Sequence, residues 1–286
     1  MKKAIVTGAN GFVGGATLRE LLHHGYEVWA VGHQDHFSNV PEDPNVHKVS
    51  CDLAEMKTLP EKIPTGEYDL FYHFAWAGSA GPARADTALQ LNNVQWTVDA
   101  LRAAKELGCR RFVCAGSIVE HETMAAAYTQ GNRPGMGYIY GSGKLAAHTM
   151  CMSVAANIGI ELVWPEITNA YGIGERSPRL VNTTIQKCIR GEVPQFTAGT
   201  QNYDFVYIDD VARAFRLIGE KKEKKGILLL VDNREEKRQQ LEKLFEDSYE
   251  LVTAVNETEV LWNIAGFGNR ISAFLISMAA VRERDN

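Results

Sequence analysis

An α/β fold is predicted for this chain: a doubly wound parallel sheet, a small C-terminal lobe, and an α/β tail. Three observations carry the prediction. Short apolar runs of strand length alternate with stretches of helical periodicity. The first apolar run meets a glycine-rich turn and then an amphipathic helix. The length of 286 residues, 45% hydrophobic and 23% charged, suits one large α/β domain plus a smaller lobe.

The opening "KKAIVTGANGFVGGATLRELLHHGYEVWAVG" reads strand, turn, helix, strand. Ala4–Val6 suits a buried parallel strand. Phe12, Ala16, Leu18, Leu21 and Leu22 recur at helical spacing, Gly25 marks the helix end, and Val28–Val31 is a second buried strand. Between strand and helix stand Gly8, Asn10, Gly11, Phe12, Val13 and Gly14. Gly8 permits a tight turn, Gly11 lets backbone approach a pyrophosphate, and Gly14 lets the helix pack near the strand. The helix N-terminus then offers free N–H groups to an anion. In that setting the turn is read as a dinucleotide site of Rossmann type.

Further segments follow in order. "SCDLAE" holds Asp52 and Leu53, and "DLFYHFAWAG" holds His73, Phe74, Ala75 and Trp76. "LNNVQWTVDALRAAKELGCRRFVCAGS" holds Asn93 and ends at Ser117; "YIYGSGK" holds Tyr140 and Lys144, and "FVYIDDVARAF" comes later. With the TGxxGxxG spacing of the first turn, residues 2–220 resemble the extended short-chain dehydrogenases/reductases, the NAD-dependent epimerase/dehydratase family of sugar-nucleotide type. The resemblance implies that Asp52, with Leu53 beside it, meets the adenine, and that Phe74, Ala75 and Asn93 also contact the cofactor. It implies a catalytic set of Ser117, Tyr140 and Lys144.

The chemistry of that set is a proton exchanged at a carbonyl or alcohol while hydride moves. A tyrosine, with pKa about 10, is ordinarily protonated near neutral pH. A lysine cation one helical turn away, with an oxidised nicotinamide, favours the phenolate. Tyr140 then serves as base in one direction and acid in the other. The resemblance gives Lys144 the cofactor ribose as well, and Ser117 the reacting oxygen. A tyrosine and lysine at this spacing also occur as mere neighbours on a helix face. Of the ten tyrosines, however, only Tyr140 has a lysine four residues later.

Several positions depart from the family. Gly116 replaces a serine, and Ile118-Val119 stand where dehydratases carry an Asp-Glu pair, which argues against dehydration. Glu120, His121 and Glu122 follow; His121 reads as a loop histidine or as an extra acid/base. Gly32 ends the second strand where a carboxylate would hold an NAD ribose, and His33 follows it, so NADP is favoured over NAD.

On the substrate side, "WPEITNAYGIGE" keeps Asn169 but has Glu166 for an arginine, and Tyr203 replaces an arginine that grips a sugar-nucleotide pyrophosphate. Arg179, with Arg176 nearby, is the basic candidate, and Trp76 either stacks on the ligand or packs in the core. The reading is keto-sugar reduction or epimerisation on a nucleotide-linked sugar. Its alternative is a cofactor-binding sensor or scaffold with lost catalysis.

The expected domains are 1–165 for the cofactor and 166–225 for a partial substrate lobe. Residues 226–286, after the lysine-rich "RLIGEKKEKK" read as a solvated linker, alternate strand and helix. They resemble a truncated response-regulator receiver domain, with Ser277 at the phosphoacceptor position and Asn233 for one of its acids, or form a remodelled end of the substrate lobe. Helices Leu89–Leu107 and Tyr140–Asn157 resemble a family dimer interface, so a homodimer is expected.

Net charge of −5 and a pI near 5.9 argue against nucleic acid or an anionic membrane as partner. The start runs straight into a strand and is not read as a signal peptide. The five scattered cysteines show no metal-ligand spacing and read as buried free thiols of a reducing cytoplasm; no metal is expected.

Overall fold

The computed structural model describes residues 2–33, 37–129, 135–200, 204–221, 227–231, 235–245, 250–254 and 271–276. Two units divide the chain, Met1–Gly219 and Glu220–Asn286. In the first, strand β1 (Lys2–Thr7) leads to helix α1 (Phe12–His23), then β2 (Tyr26–Gly32), β3 (Val46–Ser50), a short α2 (Leu59–Lys62) and β4 (Tyr68–His73). Next come α3 (Thr87–Glu106), β5 (Cys109–Cys114), a two-residue β6 (Gly116–Ser117), α4 (Val119–Tyr128), α5 (Tyr138–Ile158) and β7 (Glu161–Val163). Six strands pair in parallel in the order β3-β2-β1-β4-β5-β7. The chain starts mid-sheet, works outward to β3, then returns to β4. The expected doubly wound sheet is present, and the reversal between β1 and β4 is where such sheets open a ligand crevice.

The central strands carry apolar stretches (AIV in β1, VWAV in β2, LFY in β4, FVC in β5) because both faces are covered there. One core packs Phe71, Phe112, Leu101 and Leu107 on one side; the other packs Leu18, Val28, Tyr72 and Phe215. Phe71 and Phe112 stack with ring centroids 5.2 Å apart across β4 and β5.

Beyond the sheet lie β8 (Glu166–Ile167), β9 (Asn169–Tyr171), α6 (Leu180–Ile189), β10 (Phe205–Tyr207) and α7 (Ile208–Glu220). β8 pairs with β6, and β9 with β10, both parallel. Helix α7 returns to the main core through Ile208, Val211, Ala212 and Phe215. That helix corrects the linker reading at its start: Arg216 to Glu220 are helical, and Arg216 is buried with Nε 2.8 Å from Glu20. Its amphipathic pattern runs up to Gly219, next to the charge run that begins at Glu220.

The second unit holds β11 (Ile227–Val231), α8 (Glu235–Phe245), β12 (Glu250–Ala254) and β13 (Ile271–Ile276), paired in parallel in the order β12-β11-β13. Asn233, Ser277 and residues 222–225 of the linker lie outside the described residues. Cys51, Cys109, Cys114 and Cys151 are buried free thiols. Burial pushes those of Cys109 and Cys151 up to about 12. Cys188 is exposed, against expectation, because α6 buries no residue. Among the described residues, no helix is long and apolar enough to cross a membrane.

Candidate active site

The glycine turn sits at the C-terminal end of β1. Gly8 has φ +68°, and a Cβ there would fall 2.8 Å from the Ala75 nitrogen. A Cβ on Gly14 would fall 2.2 Å from the Gly8 carbonyl oxygen, so the α1 backbone rests directly on the turn. Gly11 donates its N–H to Gly8 at 2.9 Å. Helix α1 starts with no side-chain cap and no acidic residue in its first turn, leaving its N–H groups for an anion. Asn10 pins the adjacent loop: its Oδ1 accepts from the Asn39 amide at 2.7 Å, and its carbonyl accepts from Asn39 Nδ2 at 2.9 Å. This cradle, which side chains larger than hydrogen would fill, fits a dinucleotide pyrophosphate.

A cleft of about 620 Å³ opens above the turn, a volume suited to a cofactor or small molecule. Gly8, Asn10, Gly11, Phe12, Val13 and Gly14 line it, as do His33, Leu53, Phe74, Ala75 and Trp76. So do Ser117, Tyr140, Lys144 and Arg179, with Arg176. Tyr140 and Lys144 lie one turn apart on the first half of α5, both buried. Lys144 Nζ donates to the Ala115 carbonyl at 2.9 Å and lies 3.8 Å from the Trp76 ring centroid. The Trp76 ring meets Tyr140 edge-on at 6.0 Å, and the Arg84 guanidinium covers the tyrosine ring at 4.1 Å. Trp76 therefore faces the cleft and also packs on the two α5 side chains.

Three anticipated contacts fall outside the lining. Asn93 is buried and does not line the cleft: its Oδ1 accepts from the Ala77 N–H at 2.9 Å and its Nδ2 donates to the Ala77 carbonyl at 2.8 Å. Both ends of its amide are thereby committed to holding the turn after β4. Asp52 stands outside the lining and pairs with His33, so that imidazole already has a carboxylate beside it. Asn169 lies in β9, next to the lining residues Thr168 and Ala170 but not among them. Tyr203 is outside the described residues. His121 is on α4 rather than in a loop, with Nε2 2.6 Å from Glu166.

Three buried polar groups were given no role by the sequence. His73 Nδ1 is 2.8 Å from Thr7 Oγ1 and Nε2 is 3.5 Å from Thr97 Oγ1, joining β1, β4 and α3. Burial, reinforced by the Lys144 charge, lowers its pKa to about 3. Gln90 accepts from Trp76 Nε1 at 2.8 Å and donates to Gly78 and Ala83. Glu120, fully enclosed, accepts from the Ser117 N–H at 2.8 Å. The available signal was a polar residue on a helix face otherwise apolar, as with Gln90 in line with Val94, Val98 and Leu101 on α3.

The model of the NAD dependent epimerase/dehydratase family matches residues 4–230. UDP-glucuronic acid decarboxylase 1 of Arabidopsis thaliana is 25% identical over 223 residues, covering 73% of this chain and 50% of that protein. Its Danio rerio counterpart is also 25% identical, over 73% of this chain and 52% of its own. The chain thus spans about half the length of these curated relatives. Among solved structures, UDP-N-acetylglucosamine 4-epimerase from Methanobrevibacter ruminantium, in complex with UDP-N-acetylmuramic acid, gives a TM-score of 0.64 at 17% identity. That match covers 98% of this chain and 86% of the other. UDP-glucuronic acid 4-epimerase from Bacillus cereus, in complex with NAD, gives 0.62 at 19% identity, over 96% and 87%. At those identities the likeness carries the fold. The comparisons lend the receiver-like reading of the tail no support. On the family match, which takes in the glycine turn, the serine turn and both α5 residues, the chain belongs to the NAD dependent epimerase/dehydratase family.

Proposed function

We propose that this chain is an NAD(P)-dependent oxidoreductase or epimerase acting on a nucleotide-linked sugar, by keto-sugar reduction or epimerisation. One observation carries the reading: Ser117, Tyr140 and Lys144 line the same cleft as the glycine turn. The relatives and fold neighbours named above are UDP-sugar decarboxylases and 4-epimerases, which supports a nucleotide-linked sugar. When bound, the nicotinamide supplies the hydride donor and acceptor. Ser117 Oγ and Tyr140 Oη hold the reacting oxygen, and Tyr140 takes or returns its proton. Lys144, held by the Ala115 carbonyl one turn from Tyr140, would bind the ribose of a bound cofactor. Asn93, by holding the Ala77 turn, positions Trp76 over both. Arg176 and Arg179 supply cations for a diphosphate where Tyr203 has replaced an arginine. Asn169 and Tyr203 complete the substrate side.

The cofactor we favour is NADP(H) over NAD(H), because Gly32 offers no carboxylate against a 2′-phosphate. The Asp52–His33 pairing limits that preference, since a paired imidazole attracts a phosphate less than a free cation. We take 1–165 as the cofactor domain and 166–225 as a partial substrate lobe, with 226–286 a receiver-like fragment or a remodelled end of that lobe. Working as a cytoplasmic homodimer fits the four buried thiols and the exposed Leu91 on α3 with Met150 and Met152 on α5.

The test mixes NADPH or NADH with a panel of nucleotide-linked 4-keto-sugars and sugars, following absorbance at 340 nm and the product stereochemistry. Turnover is expected, with Tyr140→Phe lowering kcat by about 1000-fold while cofactor affinity stays within about twofold. Bound cofactor with silence across the panel would instead favour the sensor or scaffold reading.

A further inference from the structure

The serine turn departs from the family pattern at Gly116 and Glu120, and in the structure these departures form one assembly. Glu120 is enclosed with its carboxylate fully engaged. Oε1 accepts from the Ser117 N–H at 2.8 Å and from Trp164 Nε1 at 3.1 Å, while Oε2 shares a 3.0 Å hydrogen bond with His148 Nδ1. The His148 and Trp164 rings stack, 4.6 Å apart and 5° from parallel. Trp164 also explains Gly116: a Cβ there would fall 2.5 Å from the indole nitrogen. The residue that replaces the family serine is therefore the one that lets the tryptophan reach Glu120.

His148 lies on α5 one turn beyond Lys144, which is itself one turn beyond Tyr140. Glu120 thus ties the backbone of Ser117 to the helix that carries the other two members of the catalytic set. Glu120, His148 and Glu166 also bring one ligand atom each within 4.8 Å of one another. Yet Glu120 already has His148, and Glu166 has His121 at 2.6 Å, so hydrogen-bonded pairs account for the approach without an ion.

We propose that Glu120, held by His148 and Trp164, is a positioning residue that sets Ser117 relative to Tyr140 and Lys144. The inference rests on the catalytic reading of Ser117. A buried carboxylate with three satisfied hydrogen bonds is stiff, because any displacement leaves a charged acceptor unpaired. Displacement of Ser117 by about 1 Å would cost on the order of 100-fold in rate.

A double-mutant cycle between Glu120→Ala and Ser117→Ala tests this, with turnover and cofactor affinity measured on each variant. Alone, Glu120→Ala is expected to lower kcat on the order of 100-fold with cofactor affinity unchanged. In the Ser117→Ala background it should cost less than about threefold, because the group it positions is gone. Glu120→Gln keeps the Oε1 acceptor and should recover most of the rate. An equal loss in both backgrounds overturns the proposal. If Glu120→Ala does not fold, His148→Gln takes its place in the cycle, with the same two outcomes. A wild type silent on the substrate panel means that the functional reading has failed. The Ser117 amide then decides by hydrogen exchange: acceleration in Glu120→Ala but not in Glu120→Gln upholds the positioning, and no acceleration in either overturns it.

Discussion

Strands β1, β4 and β5 each bury their last four residues, and β2 its last five. The strands of the lobe are built otherwise: β8 has two residues and β9 and β10 three, mostly half-buried, while α6 buries none. The first region packs an apolar core on both sides of a sheet, where the buried residues are held by neighbours from several elements. The second is a set of short segments laid along one side of a cleft. A cofactor cradle needs the first kind of construction, because its atoms must stay in place to within tenths of an ångström. A surface that adapts to its ligand tolerates the second. The contrast makes a graded forecast: substitutions should be costly at the turn, moderate within the sheet, and nearly free on α6.

The largest effect is expected at Gly14→Ala. Its Cβ would meet the Gly8 carbonyl oxygen at 2.2 Å and the carbonyl carbon at 2.8 Å. Both are backbone atoms, so no side chain can yield and α1 must move off the turn. We expect a stability loss of about 3 kcal/mol in urea denaturation, with cofactor affinity falling alongside. A Gly14→Ala protein that keeps both would show that the turn is looser than the sheet beneath it.

A moderate effect is expected inside the sheet, and it depends on pH. His73 has its pKa lowered to about 3 by burial, then by the Lys144 charge, so it stays neutral in the folded chain. Once unfolded, it returns to about 6.5. Between those values the unfolded state binds the extra proton, so this contribution is fully present above about pH 6.5. It is lost as pH falls toward 3, at up to about 1.4 kcal/mol per unit. His73→Asn removes that dependence. The stability gap between wild type and variant should shrink by about 1 kcal/mol from pH 7 to pH 5.5 in urea titrations. A gap that does not change would mean that the core admits the charged imidazole.

The same division governs how much could be read from residues alone. The doubly wound sheet, the glycine turn and the Tyr140–Lys144 pair are local patterns, carried by apolar runs, spacing and one helical turn. Asn93 was legible as a site residue but not in its part, because its partner Ala77 is sixteen residues away across a turn. Glu120 gave less signal still: its enclosure depends on His148 and Trp164, 28 and 44 residues downstream. The pairing of His33 with Asp52 likewise joins two strand ends that only the parallel sheet brings together. Long-range polar contacts of this kind leave no period in a sequence.

The smallest effect is expected on α6, where Ile189 has 72% of its surface exposed. Its side chain has little burial to lose, so Ile189→Ser should change stability by less than about 0.5 kcal/mol. Neighbouring Ile185 and Leu180 are also exposed, and the helix offers no residue to a core. The measurement is a urea titration at neutral pH, repeated over a hundredfold range of protein concentration. A loss above about 1 kcal/mol at all concentrations would show that this face is covered within the chain, ending the contrast between lobe and sheet. A loss confined to high concentration would place the cover on a second copy instead, because only association depends on concentration.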